Sequence, residues 1–172
     1  MTLYAIIGYF DGVTENKIVK LWEELREKEI TDYPFRRKGH FPHLTFSSFT
    51  EFSPGLSQKI VRLTNSYEAL TLRFRLFGSF MRSDSFLLLP DPSRALTELH
   101  REIFNLQAVS SLYTPENWIP HMTIANHLNP DQQSAVQQLA QQRIYPFSGI
   151  LTKLALIQIT EREVIALQII SL

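Results

Sequence analysis

Two histidines stand in the same six-residue phrase: Phe41-Pro42-His43-Leu44-Thr45-Phe46 and Ile119-Pro120-His121-Met122-Thr123-Ile124. Both copies run apolar, Pro, His, apolar, Thr, apolar. In an extended strand alternate side chains share a face, so each His projects beside its own Thr. A neutral imidazole takes a proton and an imidazolium gives one, and an unperturbed pKa of about 6.5 keeps both forms present near neutrality. Two imidazoles and two hydroxyls on matched strands suit acid-base chemistry at phosphorus. A single His-x-Thr reads as readily as a surface histidine beside a Thr chosen for its branched shape. Two unrelated structural histidines, however, have no reason to share a frame.

The elements that must position them follow from the hydrophobic pattern. Residues 3–10 form a short apolar run bounded by Asp11-Gly12, a buried strand. Thr14 is a candidate cap, and Ile18, Leu21, Trp22 and Leu25 recur at helical spacing, which predicts a helix over 14–28. After a polar, basic loop at 32–40 comes the first motif strand, 42–49. Ser53-Pro54 then opens a helix carrying Leu56, Ile60 and Leu63, followed by strands at 71–80 and 85–89. The second half repeats the order. Asp91-Pro92 caps a helix with Leu96, Leu99, Ile103 and Leu106, the second motif strand follows, and Asn129-Pro130 caps a helix with Ala135, Val136 and Leu139. Strands at 148–159 and 164–170 close the chain. The reading is an α+β fold in one bilobal domain, residues 1–172. Its repeat halves, about 1–84 and 85–172, are related by a pseudo-two-fold, with two antiparallel-rich sheets lining a central groove and helices outside.

Composition narrows the chemistry. A chain of 172 residues, 44% hydrophobic, buries a sizeable core. Lys plus Arg (17) balances Asp plus Glu (17), so no global field draws in long duplex nucleic acid or an anionic membrane, and any RNA contact is expected to be local and small. The absence of Cys removes disulfides, thiolate metal sites and cysteine nucleophiles together. The first ten residues lack a cationic lead, and no segment approaches the roughly 20 apolar residues of a membrane span, so a cytoplasmic protein is expected.

Further candidates surround the motifs. Ser47 shares the face of His43 and Thr45, and His127 that of His121 and Thr123, provided the strands stay extended that far. Arg73 and Arg75 alternate with Leu72, Phe74 and Leu76, which puts both cations on the non-core face, a cleft wall or a solvated surface. The residue 32 positions after each motif His is basic, Arg75 in one half and Lys153 in the other. Trp118 either stacks on a base or covers the junction between lobes. Arg36-Arg37-Lys38, near Tyr33, Phe35 and Phe41, reads as a nucleotide clamp or, more simply, a solvated loop. His40 and His43 make a His-x-x-His, but residues three apart on a strand point to opposite faces and no carboxylate stands at a telling spacing, so no metal site is assigned. His100 falls within its helix's apolar pattern as a packing or surface residue.

The twin His-x-Thr phrases, each preceded by Pro and set in a matching half, resemble the 2H phosphoesterase superfamily, and especially the bacterial proteins of the 2′-5′ RNA ligase family. The Trp118-Ile119-Pro120-His121 run is similar to that family's second motif, whereas Ser47-Ser48-Phe49 is more polar than its usual aliphatic tail. The resemblance implies both motifs facing a central groove. It also implies metal-independent, cofactor-free chemistry on 2′,3′-cyclic or 2′,5′-linked phosphodiesters of a small nucleotide or RNA end, able to run in reverse as a ligase. One His would take the proton of the attacking water or 2′-hydroxyl while the other protonates the departing ribose oxygen. Thr45 and Thr123 would donate to the non-bridging oxygens. The alternative is a nucleotide- or RNA-binding module that keeps the groove without turnover; retention of both His and both Thr favours the enzyme.

Overall fold

The computed structural model describes residues 2–51, 53–107 and 111–172. Its elements, in order, are β1 (Leu3–Phe10), α1 (Gly12–Glu27), β2 (His43–Phe49), α2 (Leu56–Thr64), β3 (Leu70–Gly78), β4 (Phe86–Pro90), α3 (Arg94–Phe104), β5 (Met122–Ala125), α4 (Pro130–Arg143), β6 (Phe147–Ile159) and β7 (Val164–Ser171). The order β-α-β-α-β thus occurs twice, with β7 appended. Short 3₁₀ turns at Tyr33–Phe35 and Ser111–Tyr113 were not anticipated from periodicity.

Side chains cap the free N–H groups of α3 and α4, and α1, α2 and α3 begin earlier or later than their sequence signals. Asp11, not Thr14, holds the N-cap of α1, and the Thr14 hydroxyl donates to its carboxylate at 2.5 Å. At α2 the cap is Gly55, whose φ of 84° is left-handed, instead of Ser53. Ser93 caps α3 by accepting from the Leu96 N–H, because Asp91 is already committed to Arg75. The α4 start matches expectation: Asn129 and Gln132 form a reciprocal capping box ahead of Pro130.

All seven strands join one antiparallel sheet in the order β2-β1-β6-β3-β4-β5, with β7 also paired to β6. The two expected sheets are therefore hydrogen-bonded into one. The reason is the length of β6: its first residues pair with β3, its later ones with β7, and β1 runs along the opposite edge. β2 and β5, the two ends of this order, come back into contact with one another. The motif strands therefore meet although neither hydrogen-bonds to the other in the sheet.

One face of the sheet carries the main core. Ile6, Phe10, Leu44, Phe46, Leu154 and Leu156 pack there with Ile18, Leu21, Trp22 and Leu25 of α1 and with the buried stripes of the other helices. Each such side chain, fully buried, contributes about 1.5–3 kcal/mol. The opposite face holds a smaller cluster, Ala5, Ile7, Ala155 and Ile157, with Tyr9 against it. Elements far apart in sequence also pack together: α1 touches α4, and α3 touches both α2 and β2.

Candidate active site

Strand register decides which residues accompany the histidines. His43 pairs with Tyr9, and Tyr9 with Lys153; Thr45 pairs with Ile7, and Ile7 with Ala155. Directly paired residues share a face, so His43, Thr45, Tyr9 and Lys153 lie on the face away from the main core. On the other end of the sheet Thr123 pairs with Leu87, next to the buried pair Met122 and Leu88.

The two histidines are held alike. Nδ1 of His43 lies 2.6 Å from the Phe41 carbonyl, and Nδ1 of His121 lies 2.7 Å from that of Ile119. A carbonyl only accepts, so Nδ1 carries the proton in each ring and Nε2 is left as the acceptor of the neutral form. The same tautomer is fixed twice, by the same bond to the residue two before. Pro42 and Pro120, which lack an N–H, lie inside each of these loops.

Both imidazoles resist protonation. Burial is the main cause at His43, with the charges of His40 and His121 adding to it against the Phe41 hydrogen bond, and its pKa is pushed down to about 4. That His43 feels the charge of His121 places the two side chains in one electrostatic site. His121 is also lowered, by burial, with its hydrogen bond to Ile119 opposing. The His40 ring stands edge-on to His43 at 5.5 Å, packs on Trp22 at 5.2 Å and bonds to the Pro34 carbonyl at 3.0 Å; it too is lowered by burial.

Neither Ser47 nor His127 joins this face as expected. The β1–β2 register skips Phe46, so Phe46 and Ser47 both turn inward and Ser47 is fully buried; among the described residues its hydroxyl has no partner. A matching bulge in β5 skips Ile124. Each bulge follows its Thr directly and ends the alternation on which the face assignment depended. β5 then stops at Ala125, and His127 takes a left-handed φ of 59°, with its Nδ1 3.7 Å from the Asp84 carboxylate and its ring near Tyr33. Ser48 takes the place expected of Ser47: its hydroxyl and that of Thr45 stand beside the Tyr113 side chain, which is otherwise raised in pKa by burial.

Arg75 and Lys153 do not come together despite their common offset. Arg75 sits at a bulge in β3, gives both Asp91 carboxylate oxygens its Nε–H, at 3.0 and 2.8 Å, and lines a depression against α4 that includes neither motif histidine. Arg73 is exposed on β3, with its carbonyl accepting from the Asp91 N–H. Lys153 remains beside the site in the Tyr9 row. Trp118 donates its indole N–H to the Thr45 carbonyl at 2.9 Å and packs on Phe46 and His100, a position that covers the junction. His100 is buried and bonds to the Tyr113 carbonyl. Arg36 pairs with Asp32, and Arg37 donates to the Thr160 carbonyl. The sequence marks Tyr33 only as a neighbour of the basic loop and gives no sign of Tyr9 or Tyr113, because cross-strand register and the 3₁₀ turns are what bring these rings to the motifs. Among the described residues no set of three or more His, Cys, Asp or Glu side chains is gathered to hold a metal, and no helix is long and apolar enough to cross a membrane.

The site thus sets matched His and Thr residues on the two meeting ends of one antiparallel sheet, in an α+β frame. The model of the 2′-5′ RNA ligase superfamily matches residues 14–163, and the chain belongs to that family, within the 2H phosphoesterase superfamily. No curated protein sequence is a significant match. Among solved structures, LigT of E. coli complexed with 3′-AMP is similar with a TM-score of 0.64 at 17% identity, over 98% of this chain and 97% of that one. A phosphoesterase is similar at 0.61 and 16% identity, covering 100% and 99%. The ns2 PDE domain of MHV follows at 0.54 and 16%, covering 93% and 100%. These likenesses show the fold. The family and fold together point to a 2H phosphodiesterase-type enzyme.

Proposed function

We propose that the protein is a metal-independent phosphodiesterase of small nucleotides or RNA ends, acting on 2′,3′-cyclic or 2′,5′ phosphodiesters through His43 and His121, with Thr45 and Thr123 as donors to the non-bridging oxygens. The observation that carries this reading is the pair of equivalent Nδ1–H···O=C bonds, which leaves an acceptor Nε2 on each ring. One imidazole takes the proton of the attacking oxygen while the other, protonated, delivers one to the oxygen that departs; each such role is worth about 10²–10⁴ in rate. Reversal exchanges the two roles, which is how the same site would ligate. Tyr113 stands beside Thr45 and borders its approach to the phosphate. The two-lobe reading is supported by the repeated element order, the twin bulges and the equivalent histidine bonds, with halves of about 1–84 and 85–172. The small-nucleotide preference is supported by the balanced charge of the chain, and by the nucleotide bound in the E. coli LigT structure.

The test is turnover in chelator, on 2′,3′-cyclic nucleotides and 2′,5′-linked dinucleotides, of wild type, His43→Ala and His121→Ala. Activity that survives chelator and collapses in both variants supports the reading. Binding without turnover in wild type replaces it with the non-catalytic module, and activity retained in both variants puts the site elsewhere.

A further inference from the structure

Beside His43 the groove face opens into a depression of about 260 Å³ that the phosphoryl chemistry does not use. It lies along the row His43–Tyr9–Lys153, in which neighbouring strands are about 4.8 Å apart. The Tyr9 ring, which forms part of its wall, is 6.5 Å from that of His43. Tyr9 and Phe41 meet nearly at right angles, 6.4 Å apart, and Ala166 and Ile169 of β7 supply aliphatic surface opposite. Two charged groups of opposite sign, Lys153 and Glu15, complete the lining.

The depression is built and not a gap left by a loose loop. Val164 N–H donates to the Lys38 carbonyl at 2.8 Å and Lys38 N–H to the Arg162 carbonyl at 2.9 Å, which ties the segment leading to Phe41 onto the start of β7. Gly39, between them, has a φ of 75°, and a Cβ there would run into the Val164 carbonyl. That close approach needs glycine on both counts.

We propose that this depression is a nucleobase pocket, seating the base of the substrate on the His43 side of the reacting phosphorus. The inference rests on the phosphodiesterase reading above. A nucleobase is a flat group that offers a π-face to Tyr9 and Phe41 and, along one edge, an acceptor for the Lys153 ammonium and a donor for the Glu15 carboxylate. A phosphate alone would gain from Lys153 and be repelled by Glu15, and a plain apolar group would strand both charges. The opposite half has no equivalent. Ile7 pairs with Thr45 and Tyr9 lies two residues further along β1; Leu87 pairs with Thr123, and two residues further along β4 lies Leu89, paired with Leu76. Two leucines thus stand where the first half has an aromatic ring and a cation, so the base has one seat and the substrate one orientation.

The test compares a nucleoside 2′,3′-cyclic phosphate with methyl riboside 2′,3′-cyclic phosphate, which has the same reacting group and no base. The ratio of their kcat/KM values measures the base's contribution. Ile169 is half-exposed on β7, so Ile169→Trp fills the depression without disturbing the core. The ratio is expected to fall at least tenfold in Ile169→Trp and severalfold in Lys153→Met, and to hold in Ile165→Trp, on the same strand outside the depression. Calorimetric titration with adenosine 2′-monophosphate gives a readout independent of turnover, and its affinity is expected to drop in parallel. A wild-type ratio near one, or a ratio and affinity unmoved by Ile169→Trp, overturns the pocket while leaving the phosphodiesterase reading in place. Affinity lost in Ile169→Trp with no turnover by wild type keeps the pocket and overturns the enzyme.

Discussion

The two motif segments share their local construction and differ in their neighbours. In each, the His bonds to the carbonyl two residues back and a bulge follows the Thr. In each, the residue three before the His packs on a helix residue: His40 tilted on Trp22, and Trp118 stacked on His100, with equivalent positions 78 residues apart. Both segments therefore carry a Trp-His pair, with its members in exchanged positions. In the first half the exchange puts an imidazole beside His43, whose charge helps depress the pKa of His43 to about 4. In the second it puts a neutral indole three residues before His121, whose depression comes from burial, and the indole N–H reaches across to the Thr45 carbonyl. The two segments thus agree in the tautomer that each ring holds, which is the form the proposed proton transfers need. They differ in what sets the affinity of each ring for its proton and the shape of the groove.

The comparison is broken most severely by removing either ring. His43→Ala and His121→Ala are each expected to lower kcat by about 10²–10⁴, measured on a 2′,3′-cyclic nucleotide. A loss confined to one variant would mean that the halves share geometry without sharing chemistry. Thr45→Val and Thr123→Val are expected to cost about 10²-fold each, as the loss of one fixed donor to a developing charge does. Unequal losses would show which strand holds the phosphoryl oxygen more closely.

The pH profile sharpens the comparison further. A base must be neutral and an acid protonated, and both folded-state pKa values lie below the ordinary 6.5, with the pair titrating as a unit. The kcat/KM of wild type is therefore expected to be bell-shaped with its maximum on the acid side of 6.5, falling toward pH 4 as His43 protonates and falling again toward neutrality as the acid form is lost. His40→Asn removes a neighbouring positive charge and is expected to move the acid limb upward. An unmoved limb would leave burial and the charge of His121 as the causes of the depression.

Smaller effects come from the groups that orient the strands. Tyr113→Phe removes the hydroxyl that stands beside those of Thr45 and Ser48 and is expected to lower kcat severalfold with little change in KM, since Tyr113 borders a donor and does not itself touch the phosphate in this scheme. Trp118→Phe keeps the ring but strands the Thr45 carbonyl. Its expected cost is about 1 kcal/mol, or roughly 2–4 °C in Tm, read from thermal unfolding.

Much of this site is legible in the chain. The His-x-Thr phrases lie within single short strands, where alternation alone sets which side chains are neighbours, and the expected helix-strand order is observed. Legibility stops at the bulges. Ser47 and His127 were placed by continuing an alternation that the skipped residues Phe46 and Ile124 interrupt, and a bulge depends on how two strands pair. The shared offset of Arg75 and Lys153 was likewise a sequence regularity that pairing undid, because Arg75 found Asp91 and Lys153 found the Tyr9 row.

The sequence by itself determined the twin reaction phrases, the α+β order and the amphipathic helices, because each depends on spacing within a dozen residues. Only the tertiary structure decided that one long strand, β6, joins the two expected sheets, that β2 and β5 meet, and that Tyr9, Tyr33 and Tyr113 stand at the motifs. It also decided how far each imidazole's pKa falls. These are consequences of contacts between residues far apart in the chain, and of the water those contacts exclude, which no local pattern encodes.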